Sequence, residues 1–215
     1  IWKIEDLRSR LLTTILFVLI YRFGSFIVLP GIDPTALTAL KSQTSGGLLA
    51  LLDMFSGGAF ANASVFALGI MPYISASIVI QLLTIAVPYF QKMQREGESG
   101  RRKMNQYTRY LTVIILLLQG PSYLINLSVQ LAQAGSALPS GFWFTASTTL
   151  ILAGGSMFVM WLGERITDKG IGNGISFIIL VGIISRFPGA VIKEFASRLT
   201  DAGGGLVMFL VEVVF

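Results

Sequence analysis

The 215-residue sequence contains no cysteine and no histidine. Their absence removes disulfides, thiol nucleophiles, imidazole bases and nearly all zinc sites. Charge is also scarce. Asp, Glu, Lys and Arg make up 13% of the chain, against roughly 25% in soluble domains. No apolar run holds a close pair of carboxylates, so the groups needed by a proton relay or an intramembrane protease are missing. Low-complexity tracts and solenoid-type repeats are absent too. Neither an enzymatic activity nor a cofactor or metal is expected.

What is present is apolar: hydrophobic residues make up 53% of the chain, the composition of a membrane protein. A bilayer core about 30 Å thick needs roughly 20 helical residues. The apolar runs predict spans at 11–29, 64–88, 110–127, 142–162 and 174–187, with a sixth starting at 205–215. The run 174–187 gives only about 20 Å of helix. Segments 30–47, 89–109, 128–141, 163–173 and 188–204 read as loops. The sequence begins at Ile1 and closes inside LVMFLVEVVF (206–215), and is read as a piece of a longer polypeptide.

Basic residues orient these spans. Lys3, Arg8, Arg10, Lys92, Arg95, Arg101, Arg102, Lys103, Arg109, Arg165 and Lys169 fall on one side, eleven in all, against four on the other: Lys41, Arg186, Lys193 and Arg198. The excess of Lys and Arg predicts that residues 1–10 and 89–109 are cytoplasmic. Segment 186–204 runs against this pattern, being basic yet assigned outside.

The run SVFALGIMPYISASIVIQLLTIAV (64–87) carries a polar stripe. With Ile70 at zero on a helix, Ile74 lies at about 40°, Ser77 at about −20° and Gln81 at about 20°. If the helix starts at Ser64, Ile70 and Ile74 lie about 9–15 Å deep, with Ser77 and Gln81 beyond them. A buried amide needs a partner. Two readings fit: Ser77 and Gln81 join this helix to a neighbour, or they face a water-filled cavity. Before this run lies GGLLALLDMFSGGAF (46–60), bounded by Gly46-Gly47 and Gly57-Gly58 and holding Asp53. It is too short to span. It reads either as an amphipathic helix on the outer surface or as a segment folded back into the mouth of the bundle.

QREGESGRRKMNQYTRY (94–110) clusters basic charge. It orients the chain, or it docks an acidic or phosphate-bearing partner. GERITDKGIGNGIS (163–176) holds Gly170, Gly172 and Gly174. A G-x-G pattern cradles phosphate only between a strand and a helix. Here it joins two membrane helices, so it reads as a turn that dips into the membrane. Ile175 and Ile179 share a face of the short span behind it. Arg22, inside the first span, either snorkels outward or pairs with an acid elsewhere in the bundle.

FSGGAFANASVFALGIMPYISASIVIQLL (55–83), REGESGRRKMNQYTRY (95–110), MWLGERITDKGIGNGIS (160–176) and SFIVLPGID (25–33) closely resemble the SecY family. The pattern is the bacterial one and covers nearly the whole chain; loops 128–141 and 188–204 diverge. The resemblance implies an all-α membrane protein, a polytopic helical bundle forming one membrane domain. It would be the N-terminal half of a ten-span inverted-repeat channel with a re-entrant plug half-helix at 46–60. It implies a passive pore that conducts unfolded secretory polypeptides across the bacterial cytoplasmic (inner) membrane and releases transmembrane segments laterally into it. In that family pattern the pore ring falls on Ile70, Ile74, Ile175 and Ile179. The plug carries Leu48, Leu49, Leu52, Asp53, Met54 and Phe55, and the lateral gate Ser77 and Gln81. The cytoplasmic loop with Arg95, Arg101, Arg102, Lys103 and Arg109 would meet partners. Those implied are the SecA ATPase, the ribosome, SecE- and SecG-type small subunits, signal peptides and nascent chains, surrounding lipid and the C-terminal half of the same channel. A broken-helix secondary transporter is the competing class. It requires polar coordination at the midplane, where this sequence puts isoleucine.

Overall fold

A computed structural model of the chain describes residues 5–32, 53–133, 138–139, 141–185, 187–189 and 191–192. Among the described residues the named helices are, in order, α1 (Glu5–Gly24), α2 (Met71–Ala86), α3 (Pro88–Arg95), α4 (Glu98–Gln133), α5 (Phe142–Lys169) and α6 (Gly174–Ile184). Among the described residues the sole β pairing is an isolated antiparallel bridge between Val28 and Ser64. By length and composition α4 and α5 can each cross a membrane, and α2 with α3 passes the same test as a pair bent by 99°.

Helix boundaries differ from the sequence expectations, and each difference has a local cause. The span expected at 64–88 is not one helix. Residues 65–70 form turns and α2 starts at Met71. The chain before it is tied to the end of the first span, because Leu29 N–H donates to the Ala63 carbonyl and Val65 N–H to the Ile27 carbonyl, each at 2.9 Å. Those bonds tie residues 63–65 to residues 27–29, with Ala63 itself in left-handed backbone at φ +44°. Pro72 in the first turn of α2 removes an N–H that would have no helical partner there. At the other end Val87 is extended (φ −115°, ψ 119°). This is the conformation favoured before a proline, and Pro88 restarts the chain in a new direction.

The loop expected at 89–109 is helical on both sides of Glu96-Gly97. Gly97 has φ +73°, a left-handed value that ends α3 and lets α4 begin. Likewise α5 runs on to Lys169, leaving 170–173 as the connection expected at 163–173. α1 covers Glu5–Gly24 rather than 11–29. In α6 the Asn173 side chain caps the helix, accepting from Ile175 N–H at 3.1 Å and Ser176 N–H at 3.3 Å.

α5 is the central element. Leu152, Val159, Leu162 and Ile166 along it are fully buried. Near its start it joins an apolar cluster with Leu29, Ala63, Ala67, Tyr123, Leu124, Leu127 and Leu131. Nearer its end it joins a second, with Tyr21, Ala59, Phe66, Ile70 and Ile178. Gly155 lets the backbone of Val65 lie directly on α5, since a Cβ there would collide with the Val65 carbonyl. The irregular chain before α2 is therefore seated on α5 by backbone contact.

Candidate functional site

The second cluster is where the isoleucines meet. Ile70 belongs to it at 4% exposed. Ile74, Ile175 and Ile179 are partly covered and pack against the same residues. Ile70 is the residue before α2, and its carbonyl accepts the Ile74 N–H at 3.1 Å. The i, i+4 relation is therefore kept although the helix starts seven residues later than Ser64. The depth reckoned from Ser64 does not hold, because the chain from 65 to 70 does not rise as a helix.

Beside this cluster lies the chain from Asp53 to Ala63. Leu48, Leu49 and Leu52 fall outside the described residues. Asp53, Met54 and Phe55 form one helical turn, and 56–63 are turns rather than the half-helix expected over 46–60. Gly57 (φ +65°) and Gly58 (φ +93°) account for this. Both occupy left-handed backbone, which a helix cannot continue through. The Asp53 side chain, buried at 4% exposure, accepts the Ala61 N–H at 2.8 Å. Ser56 Oγ accepts from Phe60 N–H at 3.0 Å and donates to the Asp53 carbonyl at 3.1 Å. The segment thus satisfies much of its own backbone, as a non-helical stretch inside a membrane protein requires.

Three helices hold that segment. From α4, the Tyr123 hydroxyl donates to the Phe60 carbonyl at 3.0 Å, with the two rings edge-on at 5.0 Å. From α1, Tyr21 donates to the Ser56 carbonyl and Arg22 Nη1 to the Gly57 carbonyl, both at 3.1 Å. From α6, Gly182 lies against the backbone of Phe55 and Gly57. Arg22 was expected to snorkel or to find an acid. Among the described residues it forms no ion pair; its partners are a carbonyl and the Phe26 ring, 5.9 Å from the guanidinium carbon. Sequence reasoning passed over Tyr21 and Tyr123. The only available signal was a hydroxyl-bearing ring within an apolar run, which usually seeks a partner when buried.

Among the described residues, no hydrogen bond joins the Ser77 or Gln81 side chain to a neighbouring helix. Gln81 Nε2 donates to Ser77 Oγ at 3.3 Å within α2. Around them Ile78, Val79, Leu82 and Ile85 are 41–75% exposed, so this face of α2 is uncovered.

The basic residues divide. Arg109 reaches across to α5 and holds Glu164 with two bonds, Nη2–Oε2 at 2.7 Å and Nε–Oε1 at 3.2 Å. Arg102 pairs with Glu98 at 3.1 Å and Lys103 with Glu96 at 3.7 Å. Among the described residues Arg95 and Arg101 form no ion pair. Three of the five basic residues named for this loop therefore have acidic partners within the chain, and Arg109 ties two helices together.

A family model described as SecY matches residues 64–215. The chain belongs to the SecY family. Among its relatives, the protein translocase subunit SecY of Pseudomonas aeruginosa is 48% identical over 196 residues, covering 90% of this chain and 43% of the relative. That of Escherichia coli K12 is 46% identical over 209 residues, covering 97% and 47%. That of Buchnera aphidicola subsp. Acyrthosiphon kondoi is 48% identical over 209 residues, covering 97% and 59%. The chain therefore spans about half the length of the curated relatives it matches. In fold it is similar to Sec61 in the canine ribosome-channel complex from the endoplasmic reticulum. That likeness has a TM-score of 0.56 at 18% identity and covers 97% of this chain and 45% of that one. This SecY-family chain is an all-α, multi-pass membrane protein.

Proposed function

We propose that the chain is the N-terminal half of a protein-conducting channel in the bacterial cytoplasmic membrane, with its N-terminus in the cytoplasm. The whole would be a ten-span inverted repeat. Ile70, Ile74, Ile175 and Ile179 contribute to a constriction, and residues 46–60, with Leu48, Leu49, Leu52, Asp53, Met54 and Phe55, form the plug that closes it from outside. One observation carries this reading: in a SecY-family chain, two isoleucine pairs from separate helices pack on one apolar cluster next to the folded-back segment 53–63. Three of the four are only partly covered, which leaves apolar surface for a second half to meet.

The proposed mechanism is passive. Isoleucine side chains close around a passing chain without holding it, because apolar contact is non-directional. An apolar throat also sheds water when empty, which blocks ions. Work must come from outside, from a SecA-type ATPase or a translating ribosome. SecE- and SecG-type subunits, signal peptides and nascent chains complete the set of partners. Ser77 and Gln81 lie on the uncovered face of α2, which suits a lateral gate that opens toward lipid and meets the missing half when shut. Arg95 and Arg101 are the basic residues left to face a cytoplasmic partner.

The test is single-channel conductance of the complete reconstituted channel without substrate. Serine at Ile74, Ile175 and Ile179 together should raise resting ion conductance, and so should deletion of 47–60. A channel as tight as the wild type after the triple replacement would make these ordinary packing residues.

A further inference from the structure

Consecutive side chains at the end of α1 take consecutive carbonyls of the segment after Asp53. Tyr21 takes that of Ser56, and Arg22 that of Gly57. The other flank of this backbone rests on α6. A Cβ on Gly57 would stand 3.0 Å from the Gly182 Cα and 3.0 Å from Arg22 Nη1, and a Cβ on Gly182 would stand 3.0 Å from the Phe55 carbonyl oxygen. Residues 55–57 therefore pass between α1 and α6, with side-chain donors on one side and bare backbone contact on the other. Gly57 also needs its φ of +65°, so neither flank tolerates a side chain at this position. Among the described residues, no backbone N–H bonds the Gly57 carbonyl. Left bare in apolar surroundings that oxygen would be costly. A guanidinium donor satisfies it with a charge-assisted bond, stronger than a neutral one.

We propose that Tyr21 and Arg22 form a latch that seats residues 55–58 against Gly182, with Arg22 as the positioning residue that sets how readily segment 53–63 leaves that seat. The role of this segment as an outer lid rests on the function proposed above; the latch itself rests on the geometry of α1, the segment and α6. Arg22 gives the Gly57 carbonyl a single bond, so a lysine ammonium can replace it where a leucine cannot. Losing a bond to a charged donor should raise the unseated population roughly ten- to a hundredfold.

The chain has no cysteine, so an introduced thiol reports cleanly. Ala59 is 0% exposed beside the latch. In the complete channel carrying Ala59→Cys, the rate of modification by a membrane-impermeant maleimide measures unseating. Arg22→Leu should speed modification roughly ten- to a hundredfold. Arg22→Lys should return it close to the parent rate, and Tyr21→Phe should give a smaller rise. An unchanged rate in Arg22→Leu overturns the latch, and so does a lysine variant as fast as the leucine one, since that assigns Arg22 mere packing. If Arg22→Leu does not assemble, Tyr21→Phe decides, and an unchanged rate there overturns the proposal. Resting conductance of the same variants separates the two ideas. Faster modification without added conductance keeps the latch and removes the lid.

Discussion

One helical turn separates Ile70 from Ile74, and their surroundings differ. Ile70 is buried in the cluster that holds Tyr21, Phe66, Val159 and Leu162, while Ile74 is only partly covered. Truncating an enclosed isoleucine leaves a cavity that neighbours fill incompletely, at a cost of about 2–5 kcal/mol. Ile70→Ala should therefore lower the unfolding midpoint of the complete protein in detergent clearly more than Ile74→Ala. Ile74→Ala should show its main effect in resting conductance. Equal losses of stability would mean that the proposed second half encloses Ile74 as fully as this chain encloses Ile70. The i, i+4 pairing itself was legible in the sequence, because apolar periodicity reports which residues share a face. The partner of Arg22 was not. Its acceptor is the Gly57 carbonyl, and every residue carries such a carbonyl, so no side-chain pattern marks it.

At the scale of elements, hydropathy located the apolar centres of α4 and α5 and misjudged their ends. A polar stretch such as QREGESGRRK (94–103) announces exposure to water, not loss of helix. Its Glu, Arg, Gln and Lys are good helix formers, and only the Glu96-Gly97 turn interrupts it. α4 consequently runs for 36 residues, about 54 Å at 1.5 Å per residue, well beyond an apolar core of about 30 Å. The start of α2 was hidden for the opposite reason. Residues 64–70 are apolar enough to extend a span, yet the backbone at 63–65 is committed to α5 and to residues 27–29. The overhanging part of α4 is tied to α5 by Arg109 and Glu164. The Arg109 side chain is 48% exposed and that of Glu164 26%, so water and salt weaken the pair. A double-mutant cycle with Arg109→Gln and Glu164→Gln should give a coupling of about 0.5–1 kcal/mol, smaller in high salt. A coupling indistinguishable from zero at low salt would show that the two helix ends hold together without it.

At the scale of the molecule, α4 and α5 set the topology. Ser99 stands in the first turn of α4, and Gly141 immediately precedes α5. In the proposed topology α4 crosses once between them, which puts the two positions at opposite faces of the membrane. The basic residues of α3 and α4 are concentrated at the Ser99 end, and Arg165 and Lys169 lie near the end of α5 that Arg109 and Glu164 tie to it; the proposed function puts this side in the cytoplasm, where an excess of Lys and Arg is expected. Both positions suit labelling. Ser99 is exposed; a Cβ at Gly141 meets no atom within 4 Å, and its φ of 167° is extended backbone open to any residue. A membrane-impermeant thiol reagent applied to intact cells should modify Gly141→Cys and leave Ser99→Cys untouched until the membrane is opened. Reaction at Ser99→Cys alone would turn the whole bundle over and put residues 46–60 at the cytoplasmic mouth. That inversion would leave every contact within this half unchanged, yet it would contradict their proposed role as an outer plug.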